Sequence, residues 1–294
     1  MKEYLELVDK VLTKGKKKHN RTGIDALSIT GEKFEYDWNN TNRFPLLTTK
    51  KMAYKSMMTE LEFFIKGLSD KQWLKNRNCH IWDEWCSPSE VPYGNDEKTK
   101  KKMKEERNLG PIYGVQWRSF DYVYDFEEDG RFDTGGFDQL EYVVNEIENN
   151  PESRRILCSA WNPNQMDEMA LPPCHVLWQV LINTEDNTLD LLWYQRSCDL
   201  MLGIPFNISS YATLQHLLCL ESEKYHPGKL IGFFADLHIY ENHIEGAKEQ
   251  IKRNPLELPK IETENFVSIF DWEAPDTKII DYKSHEKISF EVAV

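Results

Sequence analysis

The segment Ser209–Glu223 reads as a helix that is apolar around most of its surface, and a helix of that kind has to be covered on every side. The chain supplies cover on both flanks. Val176–Ile182 and Leu189–Trp193 read as two strands joined by the polar turn Asn183–Asn187, and Leu230–Phe234 reads as a third strand after the helix. Two strands, a buried helix and a returning strand predict an α/β chain of the α+β type, a large mixed β-sheet packed with helices. At 294 residues, with 40% hydrophobic and 12% aromatic content, one such domain can bury a substantial core. No linker divides it, so a single domain over 1–294 is expected.

The remaining elements follow from periodicity. Tyr4, Leu5, Val8, Val11 and Leu12 recur at helical spacing. Leu27–Ile29 and Phe34–Tyr36 flank Gly31 and predict a hairpin. Met52–Ile65 predicts a helix stopped by Gly67; Asp138–Glu148 and Glu241–Lys252 predict two more. Phe266–Val294 alternates in short pieces, as edge strands do. Ser87–Asn108, with Pro88, Pro92, Gly94 and a lysine-rich run, predicts a solvated surface excursion.

Charge and cysteines narrow the function classes. A net charge of -13 argues against coating nucleic acid or an anionic membrane surface, so neither DNA nor membrane is an expected partner. No apolar run is long enough to span a bilayer, and Met1-Lys2-Glu3-Tyr4 lacks a signal-peptide pattern. Six cysteines without CxxC spacing or a His/Cys cluster predict reduced thiols, a cytoplasmic protein and no metal site.

Chemistry concentrates in a few places. Cys174 follows Leu171-Pro172-Pro173, whose prolines fix φ and can aim the thiol. Tyr194-Gln195-Arg196-Ser197-Cys198-Asp199 follows about twenty residues later. A guanidinium nearby favours the thiolate that acts as nucleophile. Arg21, Arg154, Arg155 and Arg196 could together enclose a phosphate, since guanidinium forks match its oxygens. Glu60 and Glu62 lie in an otherwise apolar helix. A carboxyl pressed into that setting titrates high and can move protons, but two residues apart they cannot face one place. Periodicity does not choose between them. Asn207 offers the donor and acceptor that suit a uracil-type edge, or else caps the helix from Ser209. His238 and Tyr240 alternate onto one strand face, where both could meet a sugar hydroxyl.

Read in order, these segments resemble the folate-dependent thymidylate synthase family. The matching runs are Arg21-Thr22-Gly23, Phe44–Lys50, His80–Trp85, Gly110–Arg118, Ser153-Arg154-Arg155, Leu171–His175, Tyr194–Asp199, Leu202–Asn207 and Asp236–Tyr240 with Asn242-His243. They cover nearly the whole chain. The resemblance implies that Cys174 attacks C6 of dUMP, with Glu60 managing protons and Tyr113 and Asn207 beside the reacting ring. Arg21, Arg196 and Ser197 would hold the phosphate, joined by Arg154 and Arg155 from the second subunit of a homodimer. His238 and Tyr240 would hold the deoxyribose.

For the co-substrate 5,10-methylenetetrahydrofolate, the resemblance implies Asp199 at the pterin, walls from Ile81, Trp82, Trp85, Leu202, Gly203 and Phe206, Lys50 near the glutamate tail and Val294 as a lid. No metal is implied. The implied activity is that of a methyltransferase converting dUMP to dTMP and dihydrofolate. Glu62, Leu68-Ser69, Ala235 and the length of Ser87–Asn108 depart from the family pattern, at walls and entrance rather than at reacting groups. Two other readings use the same scaffold. A dUMP hydroxymethylase would let water capture the one-carbon unit, and Trp82, placed beside that unit, argues against it. A non-catalytic nucleotide- or RNA-binding relative would have no need of Cys174 or Glu60.

Overall fold

The computed structural model describes residues 1–20, 22–121 and 135–291. In chain order its elements are α1 Lys2–Lys14, β1 Lys16–Lys18, β2 Ala26–Asp37, α2 Trp38–Thr41, α3 Tyr54–Ile65, α4 Lys71–Lys75, α5 Glu97–Glu105, α6 Tyr113–Arg118 and α7 Gln139–Asn149. Then follow β3 Leu157–Ser159, β4 His175–Asn183, β5 Thr188–Asp199, α8 Gly203–Ser222, β6 His226–Tyr240, α9 Ile244–Gln250, β7 Lys260–Thr263 and β8 Thr277–Ile280.

Six strands form one mixed sheet in the order β1-β2-β6-β5-β4-β3. Among the described strands only β5 and β6 run parallel, and the crossover between them is α8. This is the mixed α/β fold expected from the strand–helix–strand pattern. Helix α8 is buried along its length, from Ile204 and Ile208 to Leu217 and Cys219, because it fills the space between β5, β6 and α3. Trp193 of β5 stacks on Tyr211 of α8 with ring centroids 5.1 Å apart, which fixes the helix against the sheet.

Strand directions place the chemistry. Because β4 is antiparallel to β5 while β6 is parallel to it, the start of β4 and the ends of β5 and β6 share one edge. His175 pairs with Gln195, Ser197 with Asp236 and Asp199 with His238. The first residues of β2 join the same edge, Ser28 opposite His238 and Ala26 opposite Tyr240.

Several elements differ from their sequence pattern. The predicted hairpin around Gly31 is one long strand. β2 pairs with β6 in the same register on both sides of Gly31, whose positive φ of +73 is accommodated within the strand instead of turning the chain back. Helix α8 begins at Gly203, so Asn207 lies inside its first turns and is not its cap. Among the described residues of the tail only Thr277–Ile280 is a strand, paired with β7. The excursion contains α5, whose Met103 is buried, and its two ends are joined by the Ser87 amide donating to the Asn108 carbonyl at 2.7 Å.

Candidate active site

Cys174 sits immediately before β4, partly exposed, on a turn held from two sides. The Arg196 amide donates to the Cys174 carbonyl at 2.8 Å. The Arg196 guanidinium donates through Nε to the Pro173 carbonyl and through Nη2 to the Pro172 carbonyl, both at 2.8 Å. On the opposite side, the Cys174 amide donates to the Tyr113 hydroxyl at 2.8 Å. The diproline therefore does not aim the thiol by its own stiffness alone. A guanidinium fork and a phenol fix it, and the fork brings positive charge to the turn that carries the thiol.

Tyr113 connects that turn to α3. Its ring lies 4.1 Å from the His175 ring in a stacked arrangement, 5.0 Å from Phe64 and 6.3 Å from Trp82. Helices α3 and α6 can approach this closely because Gly114 has no side chain; a Cβ there would stand 2.8 Å from the Phe64 backbone. Burial pushes the Tyr113 hydroxyl well above its ordinary range. His175 is kept neutral, its imidazole pushed down to about 3 by burial, while Nδ1 meets the Tyr211 hydroxyl at 2.7 Å.

The two carboxylates of α3 separate as the helical spacing requires. Glu60 turns toward the cleft and accepts from the Trp82 indole Nε1 at 2.7 Å. Burial raises its carboxyl to about 7, partly opposed by that indole hydrogen bond. Glu62, 1% exposed, turns the other way and accepts from the Ala274 amide at 2.9 Å, anchoring the tail. Of the two, Glu60 is the one bonded to the Trp82 indole, and Glu62 is taken up by the tail.

Asn207 and Ser197 approach from α8 and β5. Gln195, 2% exposed, donates through Nε2 to Asn207 Oδ1 at 3.0 Å and to the Ser197 carbonyl at 3.1 Å, while its own Oε1 accepts from Trp193. The Asn207 amide is thereby fixed with its oxygen toward Gln195, leaving its NH2 group as the donor edge. His238 and Tyr240 lie with ring centroids 5.1 Å apart. Burial alone would lower the His238 imidazole, but Asp236 outweighs it and raises the pKa; Asp236 itself is held well below the carboxylate range by His238, Lys18 and Ser28.

The expected folate side forms a second wall. Trp82 and Trp85 are 5% and 9% exposed, and Ile81, at 41%, stands at the rim. Asp199 accepts from the Met201 and Leu202 amides on one oxygen, Oδ1, just before Gly203 and Phe206. Lys50 does not reach outward. It is buried, donates to the Met201 carbonyl and lies 4.7 Å from the centre of the Phe290 ring; burial lowers its ammonium to about 8, against the pull of Asp199. Arg154 and Arg155 are exposed ahead of β3, and neither guanidinium has a partner among the described residues. Arg21 and Val294 lie outside the described residues. Among those described, no group of three or more His, Cys, Asp and Glu could hold a metal, and no helix is long and apolar enough to cross a membrane.

Sequence reasoning overlooked Gln195, Tyr211 and Phe64. Each acts by contact across the fold, and Gln195 alone had a local signal, a polar residue on an inward-facing strand position.

A restrained thiol at the sheet edge, a carboxyl on α3 titrating near neutrality and a locked amide on α8 form the layout of an enzyme that pairs nucleophilic attack with proton transfer. The chain belongs to the thymidylate synthase family, whose model matches residues 2–294. It is 40% identical to the thymidylate synthase of Mycoplasma pneumoniae and 41% identical to that of Mesoplasma florum, each over the full length of both chains. It is 39% identical to the bifunctional dihydrofolate reductase-thymidylate synthase of Leishmania major, spanning 55% of that longer protein.

Proposed function

We propose that this chain converts dUMP to dTMP, with 5,10-methylenetetrahydrofolate supplying both the one-carbon unit and the hydride and leaving as dihydrofolate. The observation that carries this reading is the Cys174 turn, held between the Arg196 guanidinium and the Tyr113 hydroxyl and aimed into the cleft that Glu60 faces. The Cys174 thiolate adds to C6 of the uracil and breaks the C5–C6 double bond. The electron pair moves onto C5 and O4, so that C5 becomes the nucleophile. Asn207 donates through its NH2 group to the ring oxygen where charge collects. Glu60 takes and returns protons, a role suited to a carboxyl near 7. The methylene carbon bonds to C5, the C5 proton leaves to the Glu60 side and the folate amine departs to give an exocyclic methylene. Hydride then adds to that methylene carbon to make the methyl group, the ring double bond re-forms, and the C6–S bond breaks to regenerate the thiolate.

Arg196, Ser197 and Arg21 hold the phosphate, and His238 and Tyr240 hold the deoxyribose. The indoles of Trp82 and Trp85, with Leu202 and Phe206, offer a flat apolar wall suited to a pterin. Asp199, with both amide bonds on Oδ1, keeps an oxygen for its ring N–H groups. Ile81 and Gly203 complete that wall, Lys50 supports it from beneath and Val294 closes over it. The chain acts as one domain, in the cytoplasm, as its six free thiols suggest. It works as a homodimer in which Arg154 and Arg155 reach the neighbouring phosphate. The exposed outer sheet face, where Tyr194 and Phe233 are register partners at 40% and 42% exposure, supports pairing with a second copy.

The test uses purified protein, dUMP and methylenetetrahydrofolate, with dihydrofolate followed by absorbance and the nucleotide identified by mass. dTMP matched by dihydrofolate is expected. Hydroxymethyl-dUMP without dihydrofolate, or no turnover, would overturn the proposal.

A further inference from the structure

Lys71, the first residue of α4, is 1% exposed and has no carboxylate partner among the described residues. Its Nζ donates to three backbone carbonyls, of Trp85 at 2.6 Å, Met103 at 2.7 Å and Asp83 at 3.1 Å. An ammonium carries three N–H groups, so this cage uses all of them. Two of the carbonyls, of Asp83 and Trp85, lie within three residues after Trp82, the indole bonded to Glu60. The third belongs to the last turn of α5, where helix carbonyls lack internal partners and favour cations. One turn further along α4, Lys75 donates to the Lys104 carbonyl of the same α5 terminus at 3.0 Å. The base of the excursion is stitched to the same place. The Lys71 amide donates to the Arg107 carbonyl at 3.0 Å, and the Arg107 guanidinium is bound to Asp70.

A buried ammonium without a counter-ion costs stability unless its geometry is fully met, and an apolar side chain of similar length would avoid that cost. What the ammonium adds is a fixed distance between three segments that share no sheet or helix. We propose that Lys71 is a positioning residue, tying the 87–108 excursion beneath the Trp82–Trp85 wall and setting that wall against Glu60 for the folate co-substrate. The inference rests on the thymidylate-forming reading above. None of the three acceptors belongs to the nucleotide side, so its effect is confined to the folate side.

The experiment compares the full-length wild type with K71M, which keeps length without donors, and K71Q, which keeps two. Three readouts are taken: dUMP affinity by equilibrium dialysis without folate, kcat and KM for methylenetetrahydrofolate, and the ratio of hydroxymethyl-dUMP to dTMP by mass. Loss of the charge-assisted cage is expected to raise the folate KM about tenfold or more in K71M and less in K71Q, with dUMP affinity changed by less than about twofold. The hydroxymethyl fraction should rise in the same order, because a loosened indole wall admits water to the one-carbon unit. Folate KM and product ratio equal to wild type would overturn the inference, as would an equal loss of dUMP affinity. If K71M cannot be recovered folded, K71Q decides by the same criteria. Wild type that turns over dUMP keeps the underlying reading intact whatever the variants do, and inactive wild type removes both.

Discussion

Replacing Trp82 with Phe should move the acid limb of the kcat–pH profile upward. Glu60 titrates near 7 because burial disfavours its charge, and the Trp82 indole at 2.7 Å is the hydrogen bond that opposes this. Phe keeps an aromatic ring in the wall and removes the donor together with the indole's second ring. A hydrogen bond to a charged group contributes about 1.5–3 kcal/mol, and one pKa unit corresponds to about 1.4 kcal/mol, so Glu60 should rise by about one to two units. If the ionised carboxylate is the working base, half of the wild type is competent at pH 7, against about a tenth or less of the variant. The loss should be recovered as pH rises toward about 9. The assay is kcat at saturating dUMP and folate over about pH 5.5 to 9.5, followed by dihydrofolate absorbance. A lower plateau with the same midpoint would refute the claim that the indole tunes Glu60.

Glu60→Gln should stabilise the protein at neutral pH while removing turnover. A carboxyl ordinarily near 4.5 but held near 7 when folded binds its proton more tightly in the native state, so its cost is absent below 4.5, grows up to 7 and stays constant above. That cost is at most about 3 kcal/mol, so the variant should melt a few degrees above wild type at pH 8 and level with it at pH 4.5; the same advantage at both would contradict the assignment. Gly114→Ala puts a Cβ 2.8 Å from the Phe64 backbone and should force α3 and α6 apart. The expected cost is about 1–3 kcal/mol of stability, with a drop in kcat as Tyr113 shifts from Cys174; calorimetry and turnover at wild-type levels would count against this packing account. Asn207→Asp loses the NH2 donor and should lower kcat/KM for dUMP by about a hundredfold while favouring dCMP, so an unchanged substrate ratio would remove Asn207 from base recognition.

Legibility in the sequence followed the range of the forces involved. Helices with a clear apolar face and glycine stops were readable because their signals are local. Met52–Ile65 became α3, ending one residue short of Lys66 and two short of Gly67 at φ +68. Gly31 misled because glycine's freedom to take a positive φ fits a continuous strand as well as a turn, and pairing with β6, two hundred residues away, decides which. Cys174 and Arg196 stood out as residues, but the fork of Arg196 onto the diproline carbonyls could be seen only in three dimensions. Glu60 and Glu62 were equivalent by pattern and were separated by their partners, an indole for one and the Ala274 amide for the other. Lys71 had no local signal, since a lysine at the start of a short helix usually faces water.

The most direct test of the central claim is acid quench of the protein turning over dUMP with methylenetetrahydrofolate, followed by peptide mapping by mass. The account predicts a nucleotide adduct on the peptide carrying Cys174, absent in Cys174→Ala, a variant that still binds dUMP. Product formation by Cys174→Ala, or an adduct mapped to Cys198 or any other thiol, would contradict it.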